Sequence, residues 1–215
     1  MNKNNKKNYC TFYLVRHGET EWNTKGIMQG HKDSPLTKQG INQAKKAARL
    51  FKKIKFDEIF SSDLLRAQRT AEIIALERKM AVKTSKLLRE GLFGRFQGKK
   101  VKEMREELKE QLEKREKLSR EKRFKFRLTD GFETDEEIMS RFITFLREMA
   151  IAYPKKKILI ITHGGVMKAL LIHLGYAGYD ELPPGSIENA GYIILECDGV
   201  DFFIKDVKGV NMQEK

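Results

Sequence analysis

The stretch YLVRHGETEWN, Tyr13–Asn23, decides how the rest of the chain is read. With Thr11 and Phe12 before it, an apolar, β-rich run (TFYLV, 11–15) passes at once into Arg16, His17 and Gly18. Such a run predicts a buried strand. A buried strand that ends in adjacent arginine and histidine sets two polar side chains at one edge of a sheet. Their task depends on what else reaches that edge.

Five further runs read as strands: DEIFSS (57–62), the weaker AVKTS (81–85), KILIIT (157–162), GYIILE (191–196) and DFFIKDV (201–207). The last two are joined around Asp198-Gly199, a favoured hairpin turn. Helical spacing lies between them. Ile41, Ala44, Ala48 and Phe51 share one face, as do Leu64, Ala67, Ala71 and Ile74. Thr134 and Glu137 form a capping-box pattern that opens a helix with Ile138, Phe142, Phe145 and Met149 on one face. Val166, Leu170 and His173 follow the fourth strand, with Gly175 as the stop. Strands alternating with helices predict an α/β protein. The expected architecture is a three-layer α/β/α sandwich whose central sheet is mostly parallel, with an antiparallel hairpin at the C-terminal end.

One stretch breaks this rhythm. GKKVKEMREELKEQLEKREKLSREKRFKF, 98–126, is a charged helix with a thin stripe of Val101, Met104, Leu108 and Leu112. Opposite charges alternate along it at helical-pair spacing. It is read as an inserted helical arm lying over the domain. No linker divides the chain, so a single domain over 1–215 is expected.

The formal net charge is +13. Lys3, Lys6 and Lys7 supply part of it, in a start (about 1–9) read as flexible. The segment Arg95 to Arg127 supplies more, with 14 basic against 7 acidic residues. A basic excess suits nucleic acid, anionic membrane or a small anionic substrate, and equally a lysine-rich surface with no partner. The arm has no interleaved stacking aromatics before Phe124 and Phe126, so nucleic acid is not expected. No apolar run reaches membrane-spanning length, and no apolar stretch follows the basic start, so no membrane partner is expected and a cytoplasmic location is. Cys10 and Cys197 match no metal or redox spacing and are expected to be reduced. Oligomeric state has no signature in the sequence.

In parallel α/β sheets, ligands bind beyond the carboxyl ends of the strands. The first strand delivers Arg16 and His17 to that edge. The second delivers Ser61-Ser62, with Arg66 one turn into its helix. The third leads to Glu90, and the fourth to Thr162, His163, Gly164 and Gly165. Gly18, Gly164 and Gly165 permit close backbone approach. Two arginines and two histidines suit a compact anion, a phosphoryl group first of all. A helix starting just after Gly164 adds backbone N–H groups for the same anion. An imidazole can attack phosphorus, and a carboxylic acid must then protonate the leaving oxygen. Glu90 is the strand-end acid that fits. The four histidines, His17, His31, His163 and His173, lack paired metal-ligand spacing, so no metal is expected. There is no Walker loop and no Rossmann fingerprint.

These blocks carry a resemblance. LVRHGETEWN resembles the signature of the histidine phosphatase superfamily, in its phosphoglycerate mutase-like branch. QGHKDSPLTKQGINQA (29–44), SSDLLRAQRTAEII (61–74), LREGLFGRFQGK (88–99) and ITHGGVMKALL (161–171) resemble its further blocks, in order, across about residues 11–196. The resemblance implies that His17 is the phosphorylated nucleophile, that Arg16, Arg66 and His163 hold the phosphoryl group, and that Glu90 relays the proton. It also implies that Thr20, Asn23, Gln29 and the backbone near Gly164 line the substrate side. For Thr20 a helix-start cap is an equal reading. No metal or dissociable cofactor is implied for hydrolysis. Phe96 stands where the family often has tryptophan, and TDGFETDEE (129–137) replaces a Gly-Glu-Ser turn, so Glu133 matches loosely.

The function expected is a metal-independent phosphomonoesterase for a small phosphorylated metabolite, working through phosphohistidine. The rivals are a cofactor-dependent phosphoglycerate mutase and a non-catalytic binder of phosphorylated ligands.

Overall fold

The computed structural model describes residues 8–213. Residues 1–7, most of the basic start read as flexible, lie outside the described residues.

Six strands form one sheet: β1 (Cys10–Arg16), β2 (Glu58–Ser62), β3 (Lys83–Ser85), β4 (Lys157–Thr162), β5 (Ile187–Cys197) and β6 (Phe202–Val210). Their order is β3-β2-β4-β1-β5-β6. The first four run parallel, and β5 and β6 add the antiparallel hairpin. All six expected runs are strands. The weak third shrinks to three residues, and the closing hairpin is longer than its apolar signal at both outer ends.

The period-two pattern of β1 and β4 explains the layers. Phe12, Leu14, Ile158 and Ile160 point to one face, where they pack with Phe142, Leu146, Val166 and Leu170. Those partners come from α7 (Asp135–Ala152) and α8 (Gly164–His173). Tyr13, Val15, Leu159 and Ile161 point to the other face, against Ala48, Ala67, Ala71 and Ile74. There the helices are α2 (Lys38–Leu50) and α3 (Leu65–Leu76). Both faces of the sheet are therefore dry, which is why these strands read as unbroken apolar runs. The capping box expected at Thr134 and Glu137 starts α7, and Gly175 takes a positive φ of 76° after α8.

The arm differs from expectation. It is not one helix but three: α4 (Val101–Glu107), α5 (Lys109–Glu116) and α6 (Arg120–Phe124). Leu108 leaves helical geometry between the first two, and Ser119 caps the third through Lys122. The thin stripe stays on one side across the break at Leu108. Met104 and Leu108 turn inward onto Met28, Phe96 and Phe132, with Val101 and Leu112 packed alongside, in a small third cluster. The Ser119 side chain, accepting from Lys122 N, starts a new helix there in place of a continued α5.

Candidate active site

β1 and β4 are hydrogen-bonded neighbours in register, with Arg16 opposite Thr162. The residues that follow each strand therefore meet. The His17 and His163 rings lie edge to face with centroids 5.2 Å apart, and both side chains are buried. The His17 backbone is held on two sides, its N–H donating to Thr162 O at 3.0 Å and its carbonyl accepting from Asn189 Nδ2 at 3.0 Å. His17 Nδ1 lies 2.7 Å from Gly18 O. A carbonyl can only accept, so Nδ1 carries the proton and Nε2 carries the lone pair.

Two guanidinium groups complete the buried end. Arg66, 1% exposed, comes from the first turn of α3. It donates to Gly30 O, Lys32 O and Asp33 Oδ1, each at 2.8 Å. Arg16 donates through Nη1 to Ile187 O. The Nε atoms of both arginines and both ring nitrogens of His163 are buried without a protein partner. Buried polar atoms are ordinarily paired, so four unpaired ones on convergent side chains offer the partners that an acceptor-rich anion would need.

The electrostatics agree with that reading. Burial, then the charges of Arg66 and Arg16, push the His17 pKa well below its ordinary 6.5. Burial and Arg66 do the same to His163. Both imidazoles are neutral at pH 7. Burial lowers both arginine pKa values as well, while the Glu90 charge opposes that shift in each.

Glu90 reaches the site from the segment after β3 and a short 3₁₀ turn (Lys86–Leu88). Its carboxylate accepts from Gly91 N at 3.0 Å and from Gly165 N at 3.1 Å. The second bond changes one expectation. The first turn of α8 gives its Gly165 N–H to Glu90, so it is not free for an anion. The glycines earn their place by contact. A Cβ at Gly165 would stand 2.5 Å from Glu90 Oε1, and one at Gly164 would stand 3.1 Å from Arg16 Nε. A Cβ at Gly18 would strike Gly40 O at 2.4 Å.

The substrate-side residues are placed less uniformly. Thr20 and Asn23 form a capping box on the short helix α1 (Glu21–Thr24), and the Thr20 hydroxyl donates to Asn23 Oδ1 at 3.0 Å. Their oxygens serve the fold. Gln29 is buried with Oε1 unpartnered. Gly164 begins α8 beside Arg16.

Asp33, Arg141 and Thr70, absent from the sequence reading, hold this arrangement together with Glu133. Asp33 pairs with Arg66 and also accepts from the backbone N–H of Leu65 at 2.8 Å. It thus caps the start of α3 and fixes the guanidinium together. Arg141 on α7 donates to the carbonyls of Leu87, Arg89 and Glu90 at 2.7 to 3.0 Å and pairs with Glu133. Glu133 in turn accepts from Leu92 N at 2.9 Å. The loosely matching Glu133 therefore helps tether the Glu90 segment. Thr70 Oγ1 accepts from Gly18 N at 3.0 Å. Among the described residues, no group of three or more His, Cys, Asp or Glu side chains is placed to hold a metal ion. No helix there is long and apolar enough to cross a membrane.

The chain is similar to known proteins along most of its length. A Bacillus subtilis (strain 168) protein named uncharacterized phosphatase PhoE is 33% identical over 193 residues, 90% of this chain and 91% of that protein. The putative phosphoserine phosphatase 2 of Hydrogenobacter thermophilus is 34% identical over 187 residues, covering 87% and 89%. The solved structure of Bacillus stearothermophilus YhfR superposes with a TM-score of 0.81 at 28% identity, over 94% of this chain and 97% of that one. The family model for the histidine phosphatase superfamily (branch 1) matches residues 12–208, and the chain belongs to that family.

Proposed function

We propose that the protein is a metal-independent phosphomonoesterase that acts on a small phosphorylated metabolite through a phosphohistidine at His17. The observation that carries this is the set of buried unpaired donors on Arg16, Arg66 and His163, grouped around a neutral His17. The whole chain acts as one domain, with the helical segment 98–126 as an insertion.

Substrate enters as an anion, and Arg16, Arg66 and His163 take its phosphoryl oxygens. Phosphoryl transfer needs mainly position and charge neutralisation, and these three groups supply both. The lone pair of His17 Nε2 attacks phosphorus. A nitrogen–phosphorus bond forms as the ester oxygen–phosphorus bond breaks. Glu90 enters this step as the neutral acid, and the leaving oxygen takes the bond pair and the Glu90 proton. In the second half, Glu90 takes a proton from water, whose oxygen attacks phosphorus and expels His17 Nε2. Phosphate leaves, and His17 and Glu90 return to their starting states. Gln29 and the backbone near Gly164 face the ester side. Thr20 and Asn23 act there by shaping α1 beside His17.

Because burial and two arginines depress the His17 pKa, protonation removes the nucleophile only at acidities well below its ordinary 6.5. The acid limb of kcat/KM for His17 therefore lies below pH 6.5. The reading is tested with a panel of phosphomonoesters, following phosphate release and trapping of an acid-labile, alkali-stable label. His17→Ala should abolish both. A label on serine, or one that survives His17→Ala, overturns the assignment. Incubation with 3-phosphoglycerate with and without 2,3-bisphosphoglycerate separates hydrolysis from mutase chemistry. Fast bisphosphate-dependent 2-phosphoglycerate formation with little free phosphate would replace the phosphatase reading.

A further inference from the structure

Three of the four histidines have a place already: His17 and His163 meet at the sheet edge, and His173 stacks on Phe124 with ring centroids 5.5 Å apart. The fourth, His31, is half-buried in the loop that holds Arg66. The carbonyls on either side of it, Gly30 O and Lys32 O, both accept from the Arg66 guanidinium at 2.8 Å, and Asp33 pairs with the same group. The His31 N–H donates to Gln97 Oε1 at 2.6 Å. These bonds fix the His31 backbone relative to Arg66 from both sides.

The ring reaches the other way. His31 Nε2 lies 2.9 Å from Glu90 O. A carbonyl accepts, so Nε2 carries the proton, in the neutral ring and in the charged one alike. Glu90 O has a second donor in Arg141 Nη2 at 3.0 Å, and a carbonyl has lone pairs for both. The ties of the Glu90 segment lead to different places. Arg141 joins it to α7, and Arg89 joins it to Asp63 through two bonds of 2.7 Å. His31 joins the Glu90 backbone to the loop whose carbonyls hold Arg66.

We propose that His31 is a positioning residue that sets the spacing between Glu90 and the phosphoryl clamp at Arg66. It acts through the Glu90 backbone, not on the reacting atoms. The inference rests on the function proposed above, in which Glu90 is the acid. The two groups that His31 joins do different work. Arg66 neutralises phosphoryl oxygens, and Glu90 gives its proton to the ester oxygen. Proton transfer requires hydrogen-bond reach and suffers from small displacements, whereas Arg66 keeps its own bonds to Gly30, Lys32 and Asp33 when the ring is removed. Loss of the ring therefore harms proton delivery and spares anion binding.

The experiment reads kcat/KM, which spans binding through release of the alcohol, for the full chain on glycerol 3-phosphate and on 4-nitrophenyl phosphate. The first leaving group needs a proton and the second scarcely does. His31→Ala should lower kcat/KM on glycerol 3-phosphate about tenfold, the scale of one lost hydrogen bond, while Arg141 and Arg89 still hold the segment. On nitrophenyl phosphate the loss should stay within about twofold, and so should any change in inhibition by vanadate. His31→Gln can set an amide nitrogen where Nε2 stands and should restore most of the loss, whereas His31→Leu should not. In a Glu90→Gln background, His31→Ala should add no further difference between the two esters. Gln97→Met removes the acceptor of the His31 N–H, leaves the ring in place, and should reproduce the split to a smaller degree. Equal losses on both esters, no loss on either, or a glutamine that fails to rescue overturns the inference. If Glu90→Gln itself affects both esters alike, the proton-relay reading falls. If the unaltered protein turns over neither ester, the phosphomonoesterase reading falls. Either result takes this inference with it.

Discussion

The sheet edge and the arm are built on opposite principles. At the edge, Arg16 ends a strand fixed by backbone ladders, His17 and His163 follow such strands, and every one of these side chains is buried or held by protein partners. In the arm, ion pairs such as Lys102–Glu106 and Lys109–Glu113 lie on exposed surface, and five buried residues make up the small cluster beneath. The edge derives its geometry from hydrogen bonds that cannot slide without breaking the sheet. The arm derives its place from modest apolar burial and its field from many screened charges. On the proposed function, the phosphoryl chemistry belongs to the edge, and the arm's exposed charges lie outside it.

This contrast can be broken by substitution. The largest effect is expected on the proton relay. Glu90→Gln keeps the size of the side chain but removes the transferable proton, and turnover of alkyl phosphates should fall about 10²–10⁴-fold. A nitrophenyl phosphate needs little protonation of its leaving group and should lose much less. Equal losses on both would mean that Glu90 acts through structure alone.

A smaller but clear loss is expected at Asp33. Asp33→Asn leaves Arg66 buried without its carboxylate and weakens the cap on α3. Breaking a buried pair typically costs about 3–5 kcal/mol, and less applies here because Asp33 retains 21% side-chain exposure. Turnover should drop about 10–100-fold, with the loss in kcat larger than the change in thermal midpoint implies. A variant that unfolds more readily yet turns over normally would show that Asp33 serves the fold alone.

The smallest effect is expected on the arm surface. Replacing both Lys102 and Glu106 with alanine should change stability by no more than about 0.5 kcal/mol, and should leave phosphate release within twofold. A large loss from that double variant would place the arm's exposed charges in the chemistry and erase the contrast.

The strands were legible because both faces of β1 and β4 are dry, so the apolar runs are continuous and strong. Arg16, His17, Glu90 and His163 were legible for a related reason, since each ends or follows a strand and a parallel sheet gathers its strand ends at one edge. Arg66 needed only one helical turn more. The arm was legible as helical and charged, but its two breaks were not. One is the helix start capped by Ser119, and the other sits at Leu108, which packs on Met28, Phe96 and Phe132 from elsewhere in the chain.

By itself, the sequence determined the layered α/β architecture, the family resemblance and the five groups grouped at the sheet edge. Tertiary structure decided which nitrogen of His17 is free, because that depends on the position of Gly18 O. It decided that Asp33 holds Arg66, that Arg141 and Glu133 tether the Glu90 segment, and that the Gly165 N–H serves Glu90. It also decided that Asp135 is taken by Arg115 and Tyr179, while Lys168 has no hydrogen-bond or ion-pair partner among the described residues. Local periodicity encodes which face of an element is apolar. Polar partners are chosen by distances between segments far apart in the chain, and those distances exist only once the layers have packed.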